Sequence, residues 1–258
     1  MPHTFNDWLT LLRNTAHPAV PREFFERQAA QNYEPQGDEP DQPDPTPESL
    51  RWISSFTDDA GHRRDCDSPF LSSMLFINPI SPMPPTASHL SRAWWGWFDY
   101  TIRDSLAIDW DADGALMPSL QEAGIEVWTE TELGAMHALV SAAKGARNRA
   151  VLERVFRAAA WILDNLQPDN ATNHPWAIHL FVIMALDPAR AEPQRAAADL
   201  YAQSLLHNAV VHQGRPDRFS ALILWDAMEC LDALSGIPWQ RAPLSLKHIS
   251  FAARDYNR

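Results

Sequence analysis

The 258-residue sequence contains only two cysteines, Cys66 and Cys230. Neither belongs to a CxxC pair, which excludes a metal site or a thioredoxin-like redox site built on such a pair. Cys230 lies in an apolar helical segment, where a small buried side chain is the simplest interpretation. The sequence leaves open whether the two cysteines form a disulfide.

Long apolar runs and a signal-peptide pattern are also missing. No stretch reaches the roughly 18 apolar residues that a membrane-spanning helix needs. Residues 1–8 have neither the basic start nor the apolar core of a signal peptide. We therefore expect no membrane association and a cytoplasmic location.

Basic residues are scarce, since 21 Lys and Arg face 33 Asp and Glu for a formal net charge of −12. This charge repels phosphate backbones, so nucleic acid is not an expected partner. The same field opposes anionic membranes and strongly acidic polysaccharides. A basic protein partner is favoured instead.

Diagnostic catalytic motifs are absent: the sequence contains no G-x-G-x-x-G, P-loop, H-E-x-x-H or G-x-S-x-G. Nucleotide-dependent and serine-hydrolase activities therefore have no support. The pairs His174/His179 and His207/His212 have a spacing of five residues, which turns two helical side chains roughly 140° apart. We predict no metal site and no cofactor.

The second half of the chain carries a faint repeat. Residues 162–165 are echoed by 205–208 and residues 173–177 by 216–220, both at an offset of 43 residues. A period of this size, filled with helix-forming residues, is typical of stacked helical hairpins. The sequence therefore predicts an all-α fold, arranged as an α/α solenoid or an incomplete α/α toroid.

We predict one domain over residues 1–258. Residues 1–86 form a proline-rich N-terminal cap with short helices and an acidic linker at 34–47. Residues 87–236 contain the helical hairpins, and residues 237–258 form a surface tail.

The hydrophobic periodicity also gives the individual elements. Thr129 and Asp217 are predicted N-caps, and Gly236 a C-cap. Residues 58–69 are predicted to be a polar loop, and residues 71–77 an irregular apolar segment. Helices are predicted over residues 4–15, 22–33, 46–56, 89–106, 130–143, 148–166, 175–186, 193–211 and 217–234.

The segment 170–176 carries the most promising chemistry. It precedes a predicted helix, whose free N–H groups and dipole favour an anionic ligand. Asn173 could hold a carbonyl or carboxylate, and His174 could act as a general base near neutral pH. The alternative is structural: Thr172 or Asn173 caps the helix and Trp176 packs inward.

On this segment and the repeat, the chain resembles the α/α-toroid polysaccharide lyases of the alginate-lyase type. In that family an asparagine neutralises a uronate carboxylate, and a histidine or tyrosine removes and returns protons. The resemblance implies these roles for Asn173 and His174, with Tyr201 as the candidate tyrosine. The family usually shows two asparagines before the histidine, where this chain has Thr172 and Asn173.

Two further clusters supply candidate residues. Among the aromatic residues 94–100, Trp95 and Trp97 could stack on a ligand, and core packing is the alternative. Asp226 and Glu229 share one face of a predicted helix, where burial could raise the pKa of one carboxyl for acid–base catalysis. The alternative is the polar edge of an amphipathic helix.

Two functions remain open, and the sequence does not decide whether the protein is an enzyme. The first is binding of a saccharide or small molecule near the Asn173-His174 helix N-terminus, with carbohydrate catalysis as one form of it. The second is a non-catalytic interaction module, an acidic adaptor or immunity-type protein that binds a basic partner. For the first function, the predicted catalytic residues are Asn173, His174 and Asp226, and the predicted ligand-binding residues are Trp95, Trp97, Trp176 and Tyr201.

Overall fold

The computed structural model describes residues 3–20, 22, 24–26, 55–57, 63–65, 70, 108, 110–117, 124–146, 149–166 and 174–235. Its elements are α1 (Phe5–Ala16), β1 (Ser55–Thr57), β2 (Arg63–Asp65), α2 (Ile125–Ala146), α3 (Arg149–Asn165), α4 (Ile178–Leu186), α5 (Glu192–Val210) and α6 (Arg218–Ser235). The all-α class is confirmed, because the described strands form only one short antiparallel hairpin. Within these ranges, no helix is both long enough and apolar enough to cross a membrane.

Helix α1 begins with a reciprocal cap that its sequence encodes. The Thr4 hydroxyl accepts the Asp7 N–H at 3.2 Å, and the Asp7 carboxylate accepts the Thr4 N–H at 2.8 Å. These bonds satisfy N–H groups that have no partner inside the helix. The buried face that follows includes Trp8, Leu9 and Leu12, so the helix predicted over residues 4–15 is confirmed.

The helices pack largely in pairs. Helix α2 packs on α3, and α4 packs most extensively on α5. Helix α6, the last described helix, packs mainly on α1 and also contacts α4. One cluster of buried apolar side chains contains residues of every described helix. The N-terminal helix therefore takes the place of a hairpin partner for the last one.

Three helix boundaries differ from those predicted. Helix α2 begins at Ile125, so Thr129 lies inside it, and the Trp128 N–H donates to the Gly124 carbonyl at 3.0 Å. Helix α4 begins at Ile178 because the residue before it adopts a left-handed backbone conformation, described below. Ser55–Thr57 is a strand paired with Arg63–Asp65. The helix predicted over residues 46–56 is therefore wrong at its last two residues.

Several predictions fall on other parts of the chain. The burial predicted for Cys230 is confirmed, since its exposed fraction is 4%. Cys66 and its pairing, the linker, the helix over residues 89–106, the Gly236 cap and the tail lie outside the described residues.

A buried carboxylate fixes the loop of residues 110–117 onto α2. Glu132 has no exposed surface, and its carboxylate accepts the backbone N–H groups of Leu116 and Met117, the latter at 2.9 Å. Burial raises the pKa of Glu132 to about 7, against the opposing effect of these two hydrogen bonds.

A buried guanidinium holds the same loop from α3. Arg154 has no exposed surface and donates to the carbonyls of Gly114 at 2.9 Å and Ala115 at 2.7 Å. The positive charge of Arg154 also lowers the pKa of Glu132, in opposition to burial. The loop, Glu132 and Arg154 therefore form one hydrogen-bonded unit between α2 and α3.

Candidate functional site

The structure brings three of the predicted site residues together. His174, Trp176 and Asp226 belong to one network around the turn of residues 174–177, directly before α4. The other predicted catalytic residue, Asn173, lies outside the described residues, as do Trp95 and Trp97.

The turn ends in an unusual backbone conformation. Ala177 has φ 56° and ψ 13°, which is left-handed, and no other non-glycine residue in the described ranges has a positive φ. It is the N-cap residue of α4 and makes no side-chain cap bond. Capping by Thr172 or Asn173 is therefore wrong, because the helix begins at Ile178. A strained residue of this kind often marks a functional site.

His137 holds Ala177 in place from α2. The Ala177 N–H donates to His137 Nδ1 at 3.1 Å, and His137 Nε2 lies 2.7 Å from Asp226 Oδ2 on α6. Because Nδ1 accepts a hydrogen bond, the ring proton is on Nε2, which donates to the Asp226 carboxylate. His137 has no exposed surface. Both of its ring nitrogens are bonded to protein groups, which suits a holding role better than proton exchange with a ligand.

Trp176 anchors the middle of the turn. It is fully buried, with ring centroids 5.1 Å from Phe70, 5.3 Å from His137 and 5.4 Å from Phe219. Its indole N–H donates to Glu130 Oε1 at 2.9 Å. These neighbours cover the ring, so Trp176 does not present a stacking face to a sugar.

His174 forms the more accessible end of the turn. Its half-buried ring places Nδ1 3.0 Å from Ser220 Oγ and lies edge-on to Phe219 at 4.8 Å. Among the described residues, no partner of Nε2 is found. This leaves one imidazole nitrogen for a ligand.

Ser220 is itself held by the start of α6. Its backbone N–H donates to Oδ1 of Asp217 at 2.7 Å. Asp217 directly precedes the helix, three residues before Ser220. The N-cap role predicted for Asp217 is therefore confirmed. Because the cap fixes Ser220, the hydroxyl that contacts His174 stands on a rigid element.

Glu130 provides a carboxyl group beside His174. It is half-buried on α2. Burial raises its pKa, while the charge of His174, the Trp176 indole and the His174 backbone N–H lower it, and the Asp217 charge raises it. The net direction is upward, which keeps the proton on this carboxyl at a higher pH than on an exposed glutamate.

The remaining predicted residues have other environments. Tyr201 is 2% exposed and stacks on Phe181 at 4.3 Å between α5 and α4, so its ring is part of the core. Asp226 and Glu229 do not act as a carboxyl pair. Asp226 bonds to His137, whereas Glu229 accepts the Trp225 indole N–H at 3.1 Å.

Three members of the network were not predicted from the sequence: Glu130, His137 and Ser220. One signal was present, because Glu130 and His137 are seven residues apart and therefore share a face of α2. A second was the 42-residue spacing of His137 and His179, whose rings lie 4.6 Å apart. Within the described ranges, no three His, Cys, Asp or Glu side chains are grouped as metal ligands.

Together these groups offer an imidazole and a carboxyl that can carry a proton side by side. The chemistry they support is proton transfer to or from a ligand held by hydrogen bonds. The sequence matches no family model, and neither curated proteins nor solved structures gave a match. The resemblance to α/α-toroid lyases therefore stays a prediction.

Proposed function

We propose that the surface around His174 binds a small hydroxyl-rich ligand, a neutral saccharide, and exchanges protons with it. The observation that carries this proposal is the convergence of His174, Ser220 and Glu130 from three separate segments of the chain. Each is fixed by further contacts, and preorganised polar groups of this kind are what ligand sites require.

The local charge favours a neutral saccharide over a uronate. Glu130 interacts electrostatically with both His174 and Asp217, and Asp226 belongs to the same network. Carboxylates accept hydrogen bonds from sugar hydroxyls but repel a carboxylate ligand. The net charge of −12 acts in the same direction. The proposal therefore departs from the uronate substrate that the lyase resemblance implies.

His174 and Glu130 would divide the proton transfer between them. A histidine side chain changes charge near neutral pH, so it can accept a proton and return it. The raised pKa of Glu130 lets its carboxyl act as an acid at a higher pH than usual. Ser220, bonded to Nδ1, would direct Nε2 of His174 toward the ligand.

Thermal denaturation with a panel of neutral and uronate oligosaccharides tests this proposal. A ligand that binds only the folded protein raises Tm by mass action. We expect neutral oligosaccharides to raise the Tm of the wild type, and His174→Ala to abolish the rise. His212→Ala, which removes an exposed histidine after α5, is the matched control and should keep it.

A second pair of variants separates binding from folding. Glu130→Gln retains an oxygen that can accept the Trp176 indole N–H, so the fold is kept, but its amide cannot ionise. At a pH high enough to ionise the wild-type carboxyl, we expect the affinity of the variant for the bound saccharide to be about tenfold lower than that of the wild type, as for loss of a hydrogen bond to a charged group. Glu126→Gln, an exposed position on the same helix, should change nothing. If no saccharide raises the Tm of the folded wild type, the proposal is refuted.

The interaction module is the second candidate, and the net charge of −12 is the observation that favours it. An acidic surface would bind a basic partner in a salt-dependent manner. The helix pairing of α2 with α3 and of α4 with α5 supports stacked hairpins, which we propose form an incomplete α/α toroid. The cytoplasmic location stays a prediction.

A further inference from the structure

We propose that His137 and Asp226 are positioning residues for the His174 site. They hold the turn of residues 174–177 in its left-handed conformation and thereby set the orientation of the His174 ring. The inference rests on the proposed function only in giving that orientation a purpose.

The hydrogen bonds run across three elements. Asp226 on α6 accepts from His137 Nε2 at 2.7 Å, and His137 Nδ1 on α2 accepts the Ala177 N–H at 3.1 Å. The N–H of an N-cap residue is normally left to water or to a side chain of its own segment. Here it is bound by an imidazole of another helix. Loss of this acceptor would leave a buried donor unsatisfied, because Ala177 has no exposed surface.

The strain at Ala177 makes this bond consequential. An alanine at φ 56° adopts a conformation that L residues avoid, so surrounding contacts must impose it. Without the bond to His137, the backbone would relax toward negative φ. The residues before Ala177 would then rotate.

The rotation would reach His174 because the turn is short and internally bonded. The Trp176 N–H donates to the His174 carbonyl at 2.9 Å, which links the residue before Ala177 to the first residue of the turn. The Trp176 ring also lies against the His137 ring at 5.3 Å. A change at His137 is therefore transmitted both through the backbone and through the packed indole.

Two substitutions separate positioning from simple space filling. His137→Asn places an amide oxygen where Nδ1 stands, so it can accept the Ala177 N–H but cannot reach Asp226. His137→Gln is closer to histidine in length and can reach Asp226, but it leaves the Ala177 N–H without an acceptor. If His137 only fills space, the Gln variant should disturb His174 less than the Asn variant does. If His137 positions the turn, the Asn variant should disturb His174 less.

The readout is the reactivity of His174 itself. Diethyl pyrocarbonate modifies accessible neutral imidazoles, and peptide mass spectrometry gives the rate for each histidine. We expect the His174 rate in His137→Asn to stay close to wild type, and that in His137→Gln to change by about fivefold or more, since the native turn is depopulated. Nitrogen-15 spectra of labelled histidine side chains should show a changed His174 tautomer balance only in the Gln variant.

Ala177→Gly provides the rescue. Glycine adopts the left-handed conformation without strain, so adding it to His137→Gln should restore the wild-type His174 rate. Wild-type reactivity in folded His137→Gln, or no restoration by Ala177→Gly, would overturn the proposal.

A second pair of variants applies if His137→Gln does not fold. Asp226→Asn keeps an oxygen for His137 Nε2 and should retain the rate, and Asp226→Leu should change it; equal rates would overturn the proposal. None of these measurements uses a saccharide. A failure of the positioning role is therefore distinguishable from a failure of saccharide binding.

Discussion

Ala177 is the residue at which the backbone of the site departs most from its preferred geometry. A left-handed L residue costs roughly 1–2 kcal/mol relative to a right-handed one. The cost is offset by the bond to His137 and by complete burial of the residue. The site is therefore held in place by contacts from α2, and the local sequence of the turn alone would not specify it.

Replacing Ala177 by glycine should leave the stability of the protein nearly unchanged. Glycine removes left-handed strain of roughly 1–2 kcal/mol, but the lost burial of one methyl group, about 0.8 kcal/mol, and the greater freedom of glycine in the unfolded chain, about 0.4–1 kcal/mol, offset this gain. We expect the free energy of unfolding in urea to change by less than about 0.8 kcal/mol. Ala198→Gly, at a buried position inside α5, should lower it by about 1 kcal/mol or more. Equal destabilisation by the two substitutions would contradict the strain at Ala177.

At the scale of the elements, the loop of residues 110–117 shows how buried charge joins helices. The carboxylate of Glu132 accepts hydrogen bonds from two backbone N–H groups of the loop, and Arg154 donates to two of the loop's carbonyls. Both side chains are fully buried, and each bonds backbone groups of the loop that would otherwise lie in the interior without a hydrogen bond. The loop is therefore part of the α2–α3 pair.

The raised pKa of Glu132 predicts a stability that falls as the pH rises. The ordinary pKa of a glutamate is 4.5 and the pKa of Glu132 in the folded chain is about 7, so between these values the folded protein keeps a proton that the unfolded chain has lost. The stabilisation is complete below about pH 4.5 and is lost as the pH rises through about 7. The difference corresponds to roughly 3 kcal/mol.

Urea unfolding between pH 5 and pH 8 measures this dependence. The slope of unfolding free energy against pH should be smaller in Glu132→Gln than in the wild type, whatever the absolute stability of the variant. Part of the slope should persist, because burial also raises the pKa of Glu130. Glu126→Gln should retain the wild-type slope. An unchanged slope in Glu132→Gln would contradict the assigned titration.

The elements also show what the sequence could predict. The positions and identities of α1, α3, α5 and α6 follow from apolar periodicity, within one or two residues. The start of α4 could not be predicted, because alanine strongly favours a right-handed helix and its left-handed state at 177 depends on a histidine 40 residues earlier. Because α4 begins at Ile178, the N-cap of the helix is not Thr172 or Asn173, as the sequence had predicted.

The site was predictable only in part, for a related reason. His174, Trp176 and Asp226 were identified as unusual residues, and the structure joins them through Glu130, His137 and Ser220. Each of these three looks in sequence like an ordinary polar residue of a helix or helix end. Their meeting depends on how α2, α4 and α6 pack, which no local pattern contains.

At the scale of the whole molecule, the N-terminal helix completes the packing of the last one. Trp8 and Leu12 of α1 are fully buried, and α1 packs mainly on α6. The Trp8 indole N–H also donates to Asp199 on α5 at 3.0 Å. The rings of Trp176 and Phe219, 43 residues apart in sequence, also lie in contact, with centroids 5.4 Å apart.

Leu12→Ala tests whether α1 is an integral part of this core. Removing a buried leucine side chain typically costs about 2–5 kcal/mol in free energy of unfolding. We expect a loss in this range, measured by urea denaturation followed through far-ultraviolet circular dichroism. Leu200→Ala, at a position on α5 that is 59% exposed, should change stability by less than about 0.5 kcal/mol. A similarly small effect of Leu12→Ala would show that α1 contributes little to the core.

In the proposed site His174 contacts a ligand while His137 holds the turn. Nitrogen-15 spectra of histidine side chains, recorded during titration with the oligosaccharide that raises Tm most, separate these two roles. We expect that the His174 signals shift and saturate with the ligand, that His137 keeps its proton on Nε2, and that exposed His212 does not respond. Unshifted His174 signals at saturating ligand, or a ligand response confined to other histidines, would contradict these roles.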